Sequence, residues 1–259
     1  MENAAFVVKN GHLIEYIGNK EYIEIPEAVT VIDDFAFEGN KKIKSVIIPN
    51  SVLAIGRTAF GKCENLKSVT LPDSLSEIES LMFIGCKRLE SVTLPKELKI
   101  IRRMAFYQCA ALVNIDFPEN LSVIGANAFE GCCSLEKLEL PSKLQRIGDR
   151  AFYRCKNLCE LTLRSIFFDL GQEVFFEANK QIKLIYTGTS NEFCNLFTSK
   201  ERKARPFEAI GNVAQHLPAT IQNNRVEFEG NHSFCIEVEC QKDNQKIIFI
   251  NSRNKPRIY

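Results

Sequence analysis

The sequence predicts an α/β repeat solenoid, a right-handed stack of coils in which each coil contributes one strand to a parallel sheet. Two regular spacings predict this fold, because a fixed period between 20 and 29 residues is typical of a solenoid with one coil per repeat. Prolines recur every 23 residues, at Pro26, Pro49, Pro72, Pro95, Pro118 and Pro141. Phenylalanines keep the same period, at Phe37, Phe60, Phe83, Phe106, Phe129, Phe152 and Phe175.

The strand of each coil is identified by its alternation of apolar and polar residues. In the coil that ends at Pro72, Val69 and Leu71 are apolar, whereas Ser68 and Thr70 are polar. Successive strand residues point to opposite faces, so we expect Val69 and Leu71 to point into the core and Ser68 and Thr70 to face outward. Proline has no N–H to donate to a strand ladder, and Pro72 is therefore expected to end the strand.

The remainder of the coil is expected to return along the opposite side of the stack. Val52 and Ile55 are apolar and are predicted to re-enter the core after the turn. Ala59 and Phe60 are predicted to lie in a short helical turn, with Phe60 filling the middle of the coil. Gly56 precedes that turn, but other coils carry charged residues at the same position, so a positive φ is not required there.

The cysteines form a ladder at one position of the repeat. Neighbouring coils lie about 5 Å apart with side chains pointing the same way, whereas a disulfide requires Cβ vectors that converge. We therefore predict buried, reduced thiols that act as small hydrophobes with a weak S–H donor. With three histidines and no C-x-x-C pair, the sequence predicts no metal and no cofactor. The ladder residues are Cys63, Cys86, Cys109, Cys132 and Cys155.

Composition and charge place the chain among folded proteins and exclude several partner classes. Of its 259 residues, 45% are hydrophobic and 25% are charged, and the net charge of +1 predicts neither nucleic acid nor an anionic membrane as a partner. No stretch approaches the roughly 20 apolar residues that a membrane span needs. The N-terminus lacks the basic start and apolar run of a signal peptide, which predicts a cytoplasmic protein. A cell-surface or secreted location is the alternative if a leader has been removed.

The repeats divide the chain into four predicted parts. Residues 1–25 form an N-terminal cap hairpin with its turn at Asn10-Gly11, and residues 26–189 form the solenoid. Residues 190–206, which end in a charged and non-repeating run, form a linker. Residues 207–259 form either a small β module or a C-terminal cap, with strands predicted over Arg225–Glu229, Phe234–Cys240 and Lys246–Ile250.

The order of residue types within one coil resembles a known repeat. An Ile-Pro step is followed by Ser-Val, Ile-Gly, Ala-Phe, a cysteine, a leucine and a second Ser-Val, at Ile48, Pro49, Ser51, Val52, Ile55, Gly56, Ala59, Phe60, Cys63, Leu66, Ser68 and Val69. In this pattern the chain is similar to the BspA-type leucine-rich repeat family, over about residues 6–193. The chain departs from the family at Met82, where alanine is usual, and at Arg164, where proline is usual. We expect both departures to affect packing.

The resemblance implies a function in binding. Members of this family are often cell-surface or secreted adhesion and host-interaction factors, and others are intracellular. The family has no shared catalytic residues, so the resemblance implies no catalytic site in this chain.

We therefore predict a non-catalytic protein–protein interaction scaffold that binds its partner through the outward strand positions of the solenoid. These positions are polar and rich in hydroxyl groups, which suits a hydrogen-bonded contact with a protein or a glycan. Serine and threonine are also favoured on any exposed strand, so the same residues fit a face without a ligand. The candidate partner-binding residues are Ser68, Thr70, Ser91, Thr93, Asn114, Asp116, Lys137, Glu139, Glu160 and Thr162.

Two other functions belong to different classes. The first is adhesion at the cell surface or after secretion, which the family resemblance implies. The second is catalysis by a Cys/His pair in the tail, which contains Cys194, Cys235, Cys240, His216 and His232. Cys235 and Cys240 would point to opposite faces of one strand and no nucleophile motif surrounds them, so we predict that the chain is not an enzyme.

Overall fold

The computed structural model describes residues 5–164, 169–178 and 183–187, together with the backbone of four strands between residues 219 and 251. The strands are, in chain order, β1 (Phe6–Lys9), β2 (His12–Tyr16), β3 (Tyr22–Glu24), β4 (Val31–Ile32), β5 (Ser45–Ile47), β6 (Ala54–Ile55), β7 (Ser68–Thr70), β8 (Glu77–Ile78), β9 (Ser91–Thr93), β10 (Ile100–Ile101), β11 (Val123–Ile124), β12 (Lys137–Leu140), β13 (Arg146–Ile147), β14 (Glu160–Leu163), β15 (Asp169–Leu170), β16 (Lys183–Tyr186), β17 (Ala219–Gln222), β18 (Arg225–Phe228), β19 (Cys235–Cys240) and β20 (Gln245–Asn251).

The coils stack with two rows of parallel strands, which confirms the predicted solenoid. One row consists of β3, β5, β7 and β9, followed further along by β12, β14 and β16. The other row consists of β2, β4 and β6, followed by β8, β10, β11, β13 and β15. From β3 and β4 onward to β16, paired residues are 23 positions apart, as in Val46 opposite Val69 and Val69 opposite Val92. The hydrophobic core lies between the two rows.

A column of phenylalanine rings runs through the middle of the core. Phe37, Phe60, Phe83, Phe106, Phe129 and Phe152 are at most 2% exposed. Successive rings, continuing to Phe175, are stacked with centroids 4.7 to 5.6 Å apart. At the N-terminal end Tyr16 covers the column, with its centroid 5.5 Å from that of Phe37. The predicted central position of the phenylalanines is therefore confirmed.

The cysteine ladder lies beside this column and contains no disulfide. Each ladder thiol donates a hydrogen bond to the backbone carbonyl oxygen of the phenylalanine in the preceding coil, as Cys63 does to Phe37 at 3.1 Å and Cys109 does to Phe83 at 3.2 Å. Burial disfavours the thiolate and raises the pKa of Cys63 to about 12. The pKa values of the other ladder thiols rise for the same reason. The predicted buried, reduced thiols are confirmed.

The helical turn predicted around Ala59 and Phe60 is wrong, because residues 57–62 form successive turns. Within this segment the backbone N–H groups of Thr58, Phe60 and Lys62 bond to carbonyl oxygens of the next coil. They are therefore not available for the i→i−4 bonds of an α-helix. Thr58 and Lys62 also have φ of 57°, which lies outside the helical range. The described residues contain no α-helix.

Two positions in each coil have a positive φ, which places them in the left-handed conformation. The first is never glycine, and its members are Phe35, Thr58, Leu81, Met104, Asn127, Arg150 and Glu173. The second is glycine in three coils, and its members are Gly39, Lys62, Gly85, Gln108, Gly131, Arg154 and Glu177. A left-handed residue with a Cβ atom costs roughly 1–2 kcal/mol, so side chains at these positions place the coil under local strain.

Replacing Gln108 by glycine is expected to raise the free energy of unfolding by about 0.5–1 kcal/mol. Gln108 is exposed and has φ of 58°, and glycine relieves this strain at a smaller entropic cost. Arg103→Gly is the matched control, because Arg103 is exposed and has no positive φ. The control is expected to lower the free energy of unfolding by about 0.5–1 kcal/mol. Urea denaturation of both variants measures the difference, and a stabilised control or a destabilised Gln108→Gly would contradict this account.

The N-terminal hairpin consists of β1 and β2, which are joined at Asn10 and Gly11 with φ of 53° and 81°. Positive φ at both central residues is the geometry that the Asn-Gly signal predicts. β2 then pairs in parallel with β4, so that the hairpin joins the stack. The predicted hairpin is present, while its boundary at residue 25 stays a prediction.

The C-terminal strands continue one row of the stack. β16 pairs in parallel with β19, and β20, β18 and β17 follow in the same sheet. The three predicted strands appear as β18, β19 and β20, and β17 is an additional strand that was not predicted. Residues 190–206, predicted as a linker, lie outside the described residues. The boundaries of the four predicted parts therefore stay predictions.

Candidate interaction surface

The outward positions of one row of strands form an exposed polar surface. We call the outward side chains of β3, β5, β7, β9, β12 and β14, together with those of residues 114–116, the strand face. In its N-terminal half Ser68 pairs with Ser91 and Thr70 with Thr93. Ser68 is half-buried and the other three are exposed, whereas Val69 between Ser68 and Thr70 is buried. The predicted alternation of inward and outward residues is confirmed at these strands.

The backbone ladder beneath the strand face is interrupted in its middle. Residues 114–116 were expected to form a strand, but they pair with neither β9 nor β12. Ile115 is still buried, while Asn114 and Asp116 are exposed, so the side-chain directions follow the prediction although the strand does not. Phe117 stands where neighbouring coils have leucine, and its ring packs edge-on against that of Phe129 with centroids 5.6 Å apart. This larger ring stands beside the break in the ladder, at a position where added volume is poorly tolerated.

A cavity of about 710 Å³ lies at the interruption. It brings together six of the ten candidate residues, namely Asn114, Asp116, Lys137, Glu139, Glu160 and Thr162. Ser68, Thr70, Ser91 and Thr93 lie outside the cavity, on β7 and β9. The candidate residues therefore fall into two groups, a hydroxyl-rich half on two paired strands and a charged half around the cavity.

Arg164 links three coils across the charged half. Its Nε donates to Glu139 Oε1 at 2.5 Å, and its Nη1 contacts Glu119 Oε1. Lys137 and Glu160 form a second ion pair, with Nζ and Oε1 3.4 Å apart. Arg164 and Glu119 line the cavity but were not among the candidate residues. The sequence does carry a signal for this contact, since Arg164 stands where proline is usual. From the sequence alone, that departure predicts only a change in packing.

The charged half carries an excess of negative charge. Four carboxylates, on Asp116, Glu119, Glu139 and Glu160, line the cavity with two cations, Lys137 and Arg164. A hydrogen bond from the Ser142 hydroxyl at 2.9 Å lowers the pKa of Glu119, and the charge of Arg164 lowers it further. Asp116 forms no ion pair with any residue that the structure describes. The formal charge of −2 favours a ligand with basic groups.

Two other kinds of site receive no support within the described residues. No three His, Cys, Asp or Glu side chains there come together as a possible metal site. The ladder thiols have raised pKa values, which is the opposite of what an activated nucleophile requires. The tail side chains of the Cys/His hypothesis, Cys235 and His232 among them, lie outside the described part. Among the described residues, no helix is long and apolar enough to cross a membrane.

The sequence matches the family described as BspA type Leucine rich repeat region (6 copies), over residues 15–132 and 82–197. The chain therefore belongs to this family, and the resemblance found from the repeat is confirmed. A search of curated proteins found no match.

Solved structures of bacterial leucine-rich repeat proteins are similar to this chain. A leucine-rich repeat protein of T. pallidum, TpLRR, is 30% identical, with 64% of this chain and 80% of that chain covered and a TM-score of 0.60. One from Bacteroides ovatus is 28% identical, with 64% and 55% covered and a TM-score of 0.52. A leucine rich cell surface protein from Faecalibacterium prausnitzii is 21% identical, with 88% and 62% covered and a TM-score of 0.62, a likeness of fold alone.

Proposed function

We propose that this protein is a non-catalytic scaffold that recognises a protein partner through the strand face. The observation that carries the proposal is the exposed polar surface that continues from β7 to β14 and opens into the cavity at residues 114–117. Such a surface offers side-chain donors and acceptors at a regular spacing across successive coils. Membership of the leucine-rich repeat family supports the same class of function.

The two halves of the strand face suit different parts of one partner. Thr70, Ser91 and Thr93 are exposed hydroxyl groups that both donate and accept hydrogen bonds. The charged half suits a segment with lysine or arginine side chains, because its carboxylates outnumber its cations. A glycan satisfies the hydroxyl half but offers no basic group to the charged half, so we favour a protein partner.

The hydroxyl half is tested by placing arginines on it. Thr70→Arg/Thr93→Arg is expected to reduce recovery of a partner from the native source at least tenfold, because two long charged side chains obstruct the contact. Ser76→Arg/Gln145→Arg adds the same charge at exposed positions outside the strand face and is expected to retain the partner. Mass spectrometry of the bound fractions measures recovery. Equal losses in both variants, or none in the first, would contradict the proposed location.

The charged half is tested at Asp116. Asp116→Arg is expected to weaken binding of that partner at least tenfold, and Asp116→Asn less strongly, because only the first places like charges against a basic segment. Asp73→Arg is the matched control, since Asp73 is exposed and lies outside the cavity. Titration of the purified partner at two salt concentrations measures the effect. Unchanged binding by Asp116→Arg would contradict the proposal that the partner presents a basic segment to the charged half.

Surface adhesion is the alternative function. It is supported by the fold shared with a protein named as a leucine rich cell surface protein. The two functions differ in the location of the protein: an adhesion protein exposes the strand face outside the cell, whereas an intracellular scaffold keeps it inside. Protease treatment of intact cells of the source distinguishes the two, because a protein at the surface is cleaved and an intracellular one is protected.

A further inference from the structure

Exposed apolar side chains are concentrated at the N-terminal end of the stack. Nine large hydrophobic residues in the described part of the chain are exposed, and eight of them lie between residues 7 and 53. Four belong to the hairpin and the residue after it, with exposed fractions of 39% for Val7, 40% for Val8, 42% for Ile14 and 63% for Ile17. Apolar exposure gathered at one end of a molecule is typical of an interaction surface.

This apolar end also presents the edge of a sheet. β1 is the first strand in the order β1-β2-β4-β6, so among the described strands it pairs with β2 on one side and presents an edge on the other. Lys9 and His12 close the two-residue turn of the hairpin, and the backbone groups of Lys9 therefore point toward β2. The hairpin register shifts between Val7 and Val8, but the extra residue is Ile14 on β2, so the alternation along β1 is kept. It continues to Ala5, whose carbonyl oxygen accepts a bond from Ile17 N at 2.9 Å. The backbone N–H and C=O groups of Phe6 and Val8 consequently point away from β2.

We propose that this edge pairs with the same edge of a second copy of the chain, antiparallel and about a two-fold axis at Val7. In this register Phe6 of each copy lies opposite Val8 of the other, and each such pair exchanges two N–H···O bonds. A surface that pairs with itself in this way forms an isologous contact and closes as a dimer. The occupant of the edge is therefore a second copy of the same hairpin.

Side chains on β1 suit self-pairing in this register. Val7 lies opposite Val7, a β-branched pair that is favourable across strands. Lys9 is the only charged residue of β1, and it lies opposite Ala5 of the other copy rather than opposite a second lysine. Natural edge strands that avoid pairing carry charges or proline in their middle. β1 instead has two valines in its middle, each about 40% exposed. Pairing with a second copy lowers this exposure.

The dimer is tested by the mass of the protein in solution and by charges at Val7. Wild type is expected to sediment as a dimer at tens of micromolar. Val7→Lys and Val7→Glu are each expected to raise the dimer dissociation constant at least tenfold, because like charges then face each other on the axis. An equimolar mixture of the two variants is expected to dimerise again, since opposite charges now face each other.

Val113 provides the matched control, because it is a valine of similar exposure, 38%, far along the sequence from the hairpin. Val113→Lys is expected to remain dimeric. Circular dichroism and thermal unfolding establish that each variant is folded. Wild type that is monomeric at tens of micromolar would overturn the proposal. So would a Val7→Lys variant that stays dimeric, or a mixture of the two charged variants that stays monomeric.

Discussion

The free energy of unfolding is expected to fall steeply as the pH rises above about 8.5. An ordinary cysteine thiol titrates near this pH in the unfolded chain, whereas burial raises the pKa of Cys63 to about 12 and raises those of the other four ladder thiols. Above pH 8.5 the unfolded chain therefore releases protons that the folded protein keeps. Each thiol's contribution to stability is complete below the unfolded pKa and is lost as the pH approaches the folded value.

The expected slope is large because the ladder repeats the same group in every coil. One thiol that ionises only on unfolding lowers the free energy of unfolding by about 1.4 kcal/mol per pH unit. All five together lower it by about 7 kcal/mol per unit once the pH exceeds 9. Urea denaturation under reducing conditions between pH 7.5 and about 10 measures the slope before most lysines and tyrosines titrate.

Removing one thiol from the ladder provides the control for this prediction. Cys109→Ala is expected to reduce the slope by about 1.4 kcal/mol per pH unit, whatever it does to the stability at neutral pH. Ser76→Ala is expected to leave the slope unchanged, because it removes an exposed side chain and no thiol. A free energy of unfolding that is constant from pH 8.5 to about 10 would show that the ladder thiols are not buried as described.

Truncation of one ring in the phenylalanine column is expected to be the most damaging single substitution in the core. Phe106→Ala should lower the free energy of unfolding by about 3–5 kcal/mol. The Phe106 ring is fully buried and stacks on Phe83 and Phe129 at centroid distances of 5.2 and 5.0 Å. Its loss removes contacts in three coils at once, and no coil is stable without its neighbours.

Phe35→Ala is the matched control for the column. It deletes the same atoms from a phenylalanine that is 55% exposed, and it keeps a Cβ atom at a position with φ of 63°. We expect its effect to be below about 1 kcal/mol, as for most exposed sites. Equilibrium urea denaturation compares the two variants at neutral pH. Similar losses for both would contradict a stability that depends on the stacked column.

The parts of the fold that repeat were predictable, because a strict period requires that equivalent residues occupy equivalent places. The 23-residue spacing predicted the stack, and the alternation around Val69 predicted which side chains are buried. The thiol ladder followed from the same argument: Cβ atoms that point the same way in adjacent coils do not converge on a disulfide. The conformation of the return turn was not predictable from alternation. Thr58 and Phe60 donate their N–H groups to the next coil, and the sequence of one coil does not reveal bonds between coils.

The candidate surface was only partly predictable, because its most distinctive features are departures from the repeat. Phe117 puts a larger, flat aromatic ring where neighbouring coils have leucine, and its edge-on contact with Phe129 depends on how closely the neighbouring rings are packed. Arg164 is a departure from proline that the sequence shows, but its contacts with Glu139 one coil away and Glu119 two coils away depend on which side chains lie within its reach. Residues that break a repeat are therefore the positions to inspect first for function.

The proposed function is tested most directly by amide hydrogen exchange of the protein with and without its captured partner. We expect slower exchange in the bound state over residues 68–70, 91–93, 114–117 and 137–140, which belong to the strand face and its cavity. Exchange in the return turns, such as residues 57–62, should stay unchanged. Protection confined to the return turns, with the strand face unaffected, would contradict recognition through the strand face.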